Sequence, residues 1–306
     1  MKVSVIIPNY NGENLLKANL PRVLEEINEY RHGKTEIMVI DDFSSDESIQ
    51  VLEEFKKKQI NLTILKNEKN LGFSSTVNHG VKKSTGEIIV LLNTDVYPEK
   101  NFLDPLLKHF KNEKIFAAGC LDKSLENGKL ILRGRGLGEW KRGFLVHRRG
   151  EIDKKNTLWV SGGSAAFRKS IWEKLGGFNE IYNPFYWEDI DLSYRALKSG
   201  YDVVFEPSSI VVHNHEDGAI ENEFSSSEIK TIAYRNQFIF VWENATDLDL
   251  QFLHLFWLPY HFVKALLRTD WHFFIGFSQA FILLPKIIKS SLKYQKTFVK
   301  RDNEII

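Results

Sequence analysis

Cysteine is almost missing from this chain. Cys120 is the one thiol in 306 residues, so no internal disulfide can form and a reducing compartment is the simpler setting. It lies in the apolar run from Ile115 to Leu121 and reads as a small core residue. An excess of either charge is missing too. The 41 basic and 40 acidic residues leave a formal charge of +1, which excludes the broad basic field that nucleic-acid binding uses. No apolar run reaches the roughly 20 residues of a membrane-spanning helix, and there are no internal repeats or low-complexity tracts. The opening run, Val3–Ile7, is strand-like and too short for a signal peptide's apolar region, so the protein is expected not to be exported. What remains is ordinary for a globular protein, 43% apolar and 26% charged residues. The length suits one large domain, or a catalytic domain with a helical appendage.

The first 120 residues alternate between two periods. Val3–Ile7, Glu36–Ile40, Leu62–Leu65 and Ile88–Leu92 are short, apolar and rich in β-branched residues, as buried strands are. Glu13–Tyr30, Asp46–Lys58 and Ser74–Lys83 read as helices. This alternation predicts right-handed βαβ units and a doubly wound, mainly parallel α/β sheet, with ligands beyond the carboxyl ends of its strands. Asp122–Thr157 is rich in glycine and charge and reads as loops or hairpins near a cleft. Leu158–Phe167 reads as a strand, Ser170–Leu175 and Glu188–Ser199 as helices, the latter ended by Gly200. Tyr201–Glu206 and Ile210–His213 read as strands. The expected division is a catalytic domain over 1–245, with a nucleotide-binding half to residue 120 and an acceptor half after it, then a helical extension over 246–306. In that extension aromatic residues such as Phe256, Trp257 and Trp271 stand beside Lys289, Lys293, Lys296 and Lys300, a composition that suits a helix lying in a membrane interface.

The chemistry gathers where strands should end. Pro8-Asn-Tyr-Asn-Gly12 closes the first strand with a tight turn, and Tyr10 can lie flat on a nucleobase. Asp41 and Asp42 follow the second strand. Ser44 or Ser45 can cap the next helix with Asp46 near its positive end, but capping leaves the adjacent aspartates unexplained. A carboxylate that accepts an N–H from a uracil or thymine ring would explain one, and Asp41 takes that part. Asn93-Thr-Asp95 follows the apolar strand Ile88–Leu92, where a carboxylate is costly without a partner. A divalent ion bridging two phosphates is such a partner, with Asp95 as its ligand and Asn93, with Thr94, near the ribose or a metal-bound water. Trp187-Glu-Asp-Ile-Asp191 opens a helix, where the dipole favours carboxylates. Glu188 and Asp191 share a face there and Asp189 points elsewhere. An apolar neighbour such as Trp187 lifts a carboxylate toward the range of a general base. His213 and His215 fall on one face of an extended segment, and a histidine at the sheet edge that carries Asp95 can complete a metal site.

In this order the segments resemble the family 2 glycosyltransferases with the GT-A fold, over about residues 1–245. The set is Ser4–Asn11, Val39–Asp46, Asn70-Leu-Gly-Phe73 with Asn78-His-Gly80, Leu92–Val96, Ser161-Gly-Gly-Ser164, Gly176–Glu180, Trp187–Leu192 and His213, with spacing nearest the bacterial rhamnosyltransferase-like branch. The resemblance implies that Asp41 binds the base and that Asp189 is the catalytic base. It also implies that Pro8, Tyr10, Asn11, Asn70, Gly72, Asn78, Trp187 and Glu188 help bind the nucleotide-sugar. Gly162 and Gly163 would let backbone amides approach donor or acceptor. Asp95 stands at the last position of the family's metal-binding D-x-D motif, whose first aspartate is Asn93 here.

The expected activity is an inverting, metal-dependent transfer of a sugar from a UDP- or dTDP-sugar to a glycan or lipid-linked acceptor in cell-surface polysaccharide synthesis. The expected cofactor is Mn2+ or Mg2+, and the expected place is the inner face of the cell membrane, held peripherally by the C-terminal helices, with no nucleic-acid partner. Two other readings stand beside it. A sugar-1-phosphate nucleotidyltransferase would carry a basic, glycine-rich loop after the first strand, and Pro8–Gly12 has no basic residue. A non-catalytic nucleotide-binding membrane partner would not need Asp95, Asp189 and His213 intact.

Overall fold

The computed structural model describes residues 1–58, 61–126, 129–213 and 223–306. His215 lies outside them. The first half is built as the alternating periods require. Strand β1 (Lys2–Asn9) is followed by helix α1 (Glu13–Glu29), β2 (Lys34–Asp41), α2 (Ser48–Lys58), β3 (Leu62–Lys66), α3 (Phe73–Lys83) and β4 (Ile88–Leu92). These strands pair in parallel in the order β3-β2-β1-β4. The chain therefore winds outward to one side of β1 and then returns to its other side. The crevice between β1 and β4 is the switch point at which such sheets bind ligands.

Alternation along the strands sorts side chains into two cores. Val3, Val5, Ile7, Ile88, Val90 and Leu92 face α1 and α2. Ile6, Ile89 and Leu91 face α3 and the helices that follow. Gly80 of α3 is demanded by this packing, because a Cβ there would stand 2.5 Å from Ile40 and 2.8 Å from Ile6.

Beyond β4 the sheet becomes mixed. A short β5 (Val96–Pro98) and α4 (Leu103–Lys108) lead into the long β6 (Ile115–Glu126) and β7 (Lys129–Arg133). The hairpin β8 (Gly136–Lys141) and β9 (Phe144–Arg149) forms a separate two-stranded sheet. The strand expected over Leu158–Phe167 is shorter, β10 (Ser164–Arg168), antiparallel to both β4 and β6. The residues before it are drawn away to the hairpin, where Leu158 N–H donates to the Gly136 carbonyl. After α5 (Lys169–Leu175) and α6 (Glu188–Lys198), the two segments expected as separate strands form one, β11 (Asp202–His213). An irregularity between Glu206 and Ile210 breaks its register against β6. Gly200 ends α6 with φ +84°, as its C-terminal signal required.

The rest is helical: α7 (Ser226–Asn244), α8 (Leu248–Leu267), α9 (Trp271–Ile282) and α10 (Leu284–Gln295). Ser225 and Glu228 form a capping box at the start of α7. Phe238, Ile239, Phe240 and Val241 of α7 are all buried in a third core, shared with the β8–β9 hairpin, α6 and the helices that follow. The last residues return to α6. Asp302 and Lys198 form a fully buried ion pair at 2.7 Å. Helix α8 is buried only at Leu250, His254 and Ala265. Its other side is apolar and open, with Leu248 and Leu267 each 81% exposed and Phe252 66% exposed. Among the described residues no single helix is long and apolar enough to cross a membrane. The α9–α10 pair passes that test by length and composition only, with a 64° bend between the two.

Candidate active site

Three strand ends and one helix start meet at the crevice. At the end of β1, Asn9 is buried and donates its side-chain N–H to Asp41 at 2.8 Å and to Ser44 at 3.2 Å. Asp41 also accepts from the Ser44 hydroxyl at 2.6 Å and the Ser44 N–H at 3.0 Å. Its neighbour Asp42 takes the other side of the sheet end, accepting from Asn67, Leu71 N–H and Gly72 N–H at 2.8–2.9 Å. Two adjacent buried carboxylates are thus satisfied by separate sets of donors, and the aspartates anchor the loops around the crevice. Ser44 serves Asp41 rather than the helix, and the capping falls to Asp46, which accepts from Ser48 N–H at 3.0 Å.

The other residues expected around the nucleotide divide between surface and scaffold. Pro8 and Tyr10 are half-buried beside Asn9. Asn11 takes φ +47° and accepts from Ser45 N–H at 2.8 Å, tying the first loop to the second. Asn70 accepts from Gly72 N–H at 3.1 Å. Gly72 has φ +83° and lies so close to Asn183 that a Cβ would stand 2.9 Å from its carboxamide carbon. Asn78 has a scaffold duty, since its carboxamide grips both backbone groups of Phe178.

Asp95 sits between β4 and β5, and β5 pairs antiparallel with the end of β11, so that His213 lies opposite Val96. That register brings His213 Nε2 to 3.1 Å from Asp95 Oδ2. The other ring nitrogen, Nδ1, is 3.0 Å from Asp122 Oδ2, and Ser124 donates to Oδ1 of that same aspartate at 2.8 Å. Burial works against charge on this imidazole, but the hydrogen bonds and charges of Asp122 and Asp95 outweigh it and push its pKa up to about 9. Asp95 Oδ1 and Asn93 Oδ1 are buried with no hydrogen-bond partner among the described residues. Buried acceptors are rarely left so, and two of them at one strand end suit a hard cation. No three His, Cys, Asp or Glu side chains converge on one point among the described residues. Asp95 Oδ1 would be the protein's open donor, with phosphate oxygens and water completing the set, and His213, whose Nε2 already meets Asp95, would join only on giving up the proton there. The residues fit a divalent ion on those terms.

The antiparallel pairing of β4 with β10 brings the glycine pair to this loop. Asn93 N–H donates to the Gly163 carbonyl at 3.0 Å. A Cβ on Gly163 would stand 2.6 Å from the Asn93 carboxamide nitrogen, so the bare glycine lets Asn93 keep its place. Gly162 N–H donates to Asp189 Oδ2 at 3.2 Å. Asp189 stands in the first turn of α6 behind two residues in left-handed conformation, Tyr186 (φ +70°) and Trp187 (φ +78°). Non-glycine residues rarely take that conformation in succession, and it aims the start of the helix into the crevice.

The three carboxylates of α6 part company as their helical spacing requires. Asp191 is fully buried and structural, paired with Arg195 at 2.7 Å and accepting from Asn244 at 2.8 Å. Glu188 is 6% exposed, and its Oε2 has no partner among the described residues. Burial, then the charges of Asp189 and Asp191, raise its pKa well above the usual carboxylate range. Asp189 is raised as well by burial, but the N–H groups of Gly162 and Ile190 pull it back. Both carboxyls are thus raised by burial, and only Asp189 has the Gly162 and Ile190 N–H groups to oppose the rise.

Asn9, Asp122 and Asn183 were not singled out from the sequence. Asp122 carries a signal that was available: it follows the apolar run of β6 as Asp95 follows that of β4. Asn9 and Asn183 act through neighbours distant in the chain and leave no local mark.

A doubly wound sheet of this order, with a strand-end aspartate and histidine facing a helix-borne carboxylate across a glycine pair, defines a GT-A glycosyltransferase fold. Residues 4–176, more than half of the chain, match glycosyl transferase family 2, and the chain belongs to that family. Among its relatives, the O-antigen chain rhamnosyltransferase RfbN of Salmonella typhimurium is 26% identical over 223 residues, which are 70% of this chain and 67% of that protein. The probable glycosyltransferase YdaM of Bacillus subtilis is 28% identical over 218 residues, 68% of this chain and 50% of that protein. The chain therefore spans about two thirds of one relative and half of the other. Among solved structures, GalNAc-T7 with UDP, GalNAc and Mn2+ superposes with a TM-score of 0.65 at 20% identity, over 81% of this chain and 48% of that one. At that identity the likeness speaks for the fold.

Proposed function

We propose that this chain transfers a sugar, with inversion at the anomeric carbon, from a UDP- or dTDP-sugar to a glycan or lipid-linked acceptor in cell-surface polysaccharide synthesis. The observation that carries the reading is the Gly162–Gly163 segment, hydrogen-bonded on one side to Asn93 of the Asp95 loop and on the other to Asp189. It brings a charge-binding group and a base to opposite sides of one small gap.

Asp41 is assigned to the base of the nucleotide, with Tyr10 against the ring. Pro8, Asn11, Asn70 and Gly72 shape the loops around it, and Asn78 holds the backbone of Phe178 behind them. Asn93 and Thr94 lie toward the ribose and phosphates. Mn2+ or Mg2+ held by Asp95 and His213 would neutralise charge on the departing diphosphate. Asp189 accepts the proton of an acceptor hydroxyl while that oxygen forms its bond to the anomeric carbon. The bond from that carbon to the diphosphate oxygen breaks on the far side, and the electron pair leaves with the nucleotide. Glu188, its pKa raised by burial and by the charge of Asp189, stands beside the base, and Trp187 walls it.

The acceptor's membrane origin rests on α8 and α9. Their outer faces expose Phe252, Phe256, Leu266 and Trp271, and Lys286, Lys289, Lys293 and Lys296 are exposed on α10 and just beyond it. An apolar face on α8 and α9, with exposed cations on α10, suits the inner, anionic face of a cell membrane. This supports a peripheral place at that surface.

The test is Asp189→Asn in the full chain. Loss of general base catalysis should lower turnover about 100- to 10,000-fold, while calorimetry shows nucleotide-sugar binding close to wild type. Wild-type turnover in the variant would remove Asp189 from the mechanism.

A further inference from the structure

The β8–β9 hairpin carries residues that the reading above does not use. Its turn is held by α8. Gly143 lies against the helix backbone, where a Cβ would stand 2.5 Å from His254 Cα. Trp242 donates its indole N–H to His254 Nε2, so His254 carries its proton on Nδ1 and donates it to the Gly143 carbonyl at 2.7 Å. His261 Nε2 meets the Arg142 carbonyl at 2.8 Å, and Arg142 donates to the Tyr260 hydroxyl at 2.6 Å. One end of the hairpin is therefore fixed to the helix whose outer face is apolar.

Farther along β9, His147 reaches the catalytic helix. Its imidazole stands edge-on to two indoles, 5.4 Å from Trp159 at 82° and 5.4 Å from Trp187 at 83°. Trp187 immediately precedes Glu188 and Asp189. It is buried, backed by Phe240 at 5.1 Å, and fixed by its left-handed backbone. Trp159 is covered on one side by Gly136, where a Cβ would lie 2.4 Å from the indole. His147 is exposed at its outer edge, yet enough of its ring is shielded to lower its pKa below the usual imidazole value. No described residue takes up its ring nitrogens in a hydrogen bond.

Resting on the glycosyltransferase reading above, we propose that the exposed ring of His147, braced by Trp159 and the buried Trp187, seats the acceptor's terminal pyranose. A pyranose has one face of C–H bonds that packs on aromatic rings, whose π faces are negative. Its hydroxyls then meet polar groups at the rim, which here are the free nitrogens of His147 and, two residues beyond Trp187, the carboxyl of Asp189. A packed aromatic platform with a few polar groups at its edge is how small-molecule sites set orientation. The hairpin links this seat to α8, so an acceptor carried on a lipid reaches Asp189 from the side where the apolar face lies.

The experiment measures nucleoside diphosphate release by the full chain with Mn2+, from whichever UDP-, dTDP- or GDP-sugar the wild type hydrolyses. Methyl glycosides of glucose, galactose, rhamnose and N-acetylglucosamine are then titrated in. At least one should accelerate release. His147→Ala should raise its half-saturating concentration about tenfold, with the maximal rate moved less. His147→Phe, which restores a ring, should come back to within about threefold of wild type. Unchanged saturation in His147→Ala, or no recovery in His147→Phe, overturns the proposal. Donor hydrolysis that no pyranoside accelerates overturns the seat and leaves the transferase reading standing. Absence of release from every donor overturns that reading, and this inference with it.

Discussion

The N–H of Gly162 donates to the carboxylate of Asp189 across 3.2 Å. The bond joins the strand side of the crevice to the helix side and opposes the rise that burial causes in the Asp189 pKa. Asp189 has two backbone donors, Gly162 and Ile190, whereas Glu188 has an oxygen with none among the described residues. Both carboxyls are buried, so what distinguishes them is their hydrogen bonds.

A pH dependence follows. Burial raises the Asp189 pKa above the ordinary aspartate value, and a general base works only when deprotonated. Turnover should rise with pH along an acid limb whose midpoint lies above about 3.9, the value of an unperturbed aspartate. The pH profile of kcat reads this directly. A limb at or below that value would mean that the crevice does not desolvate Asp189.

Asn93 departs from the family's metal-binding motif, and its buried Oδ1 has no partner among the described residues. Asn93→Asp adds a carboxylate oxygen there, and carboxylate count tunes divalent affinity. The half-saturating Mn2+ concentration for nucleotide release should fall about tenfold. No change, or weaker binding, would place the cation away from Asn93.

Gly163→Ala drives a methyl group to 2.6 Å from the Asn93 carboxamide nitrogen, the end of a side chain that can turn aside. Stability should hardly move, with Tm within about 3 °C of wild type. The KM for the donor should rise severalfold because Asn93 is displaced. A large loss of Tm with an unchanged KM would reverse that assignment.

The C-terminal residues hold the catalytic helix from its far end. Lys198 and Asp302 are both fully buried, and Lys198 also donates to the Asn244 carbonyl at 2.9 Å and the Thr246 hydroxyl at 2.6 Å. Burial opposes ionisation of Asp302, but Lys198 and Tyr194 more than compensate and hold its carboxyl below the usual range. Asp302→Ala strands the ammonium, and breaking a buried pair costs about 3–5 kcal/mol. Urea unfolding should show that loss. The exposed pair Lys17–Glu13, by contrast, can be broken by Lys17→Ala without moving the midpoint.

Phe252 and Phe256 stack 6.1 Å apart on the outer face of α8, 66% and 63% exposed. The double substitution to serine should release the protein from sedimenting vesicles of anionic phospholipid while leaving Tm unchanged. Equal sedimentation of variant and wild type would remove this face as a membrane contact.

Much of this was legible where the physics is local. The strand Ile88–Leu92 begins and ends where its apolar run does, and the positions of Asp41, Asp95, Asp189 and His213 follow from strand ends and one helix start. What the chain does not announce are pairings across long separations. Asp122 meets His213 from 91 residues away, and the register of β11 against β5 decides it. Leu158–Phe167 has a strand's composition, yet its first half is claimed by the β8–β9 hairpin. The run Phe238–Val241 is apolar on every side, so no amphipathic face pointed to the core it completes. The composition of the tail suits a helix lying in a membrane interface and says nothing of what its inner side packs on. The structure shows its inner side packed, and its outer side stays open for the partner proposed above.

The account's central claim is a metal-assisted transfer from a nucleotide-sugar with Asp95 at the cation. Nucleoside diphosphate release from UDP-, dTDP- and GDP-sugars, with and without Mn2+ or Mg2+, in wild type and in Asp95→Ala, tests it most directly. The account predicts release from one nucleotide class that requires the metal and is lost in the variant. Release that is indifferent to both the metal and Asp95, or no release from any donor, would contradict it.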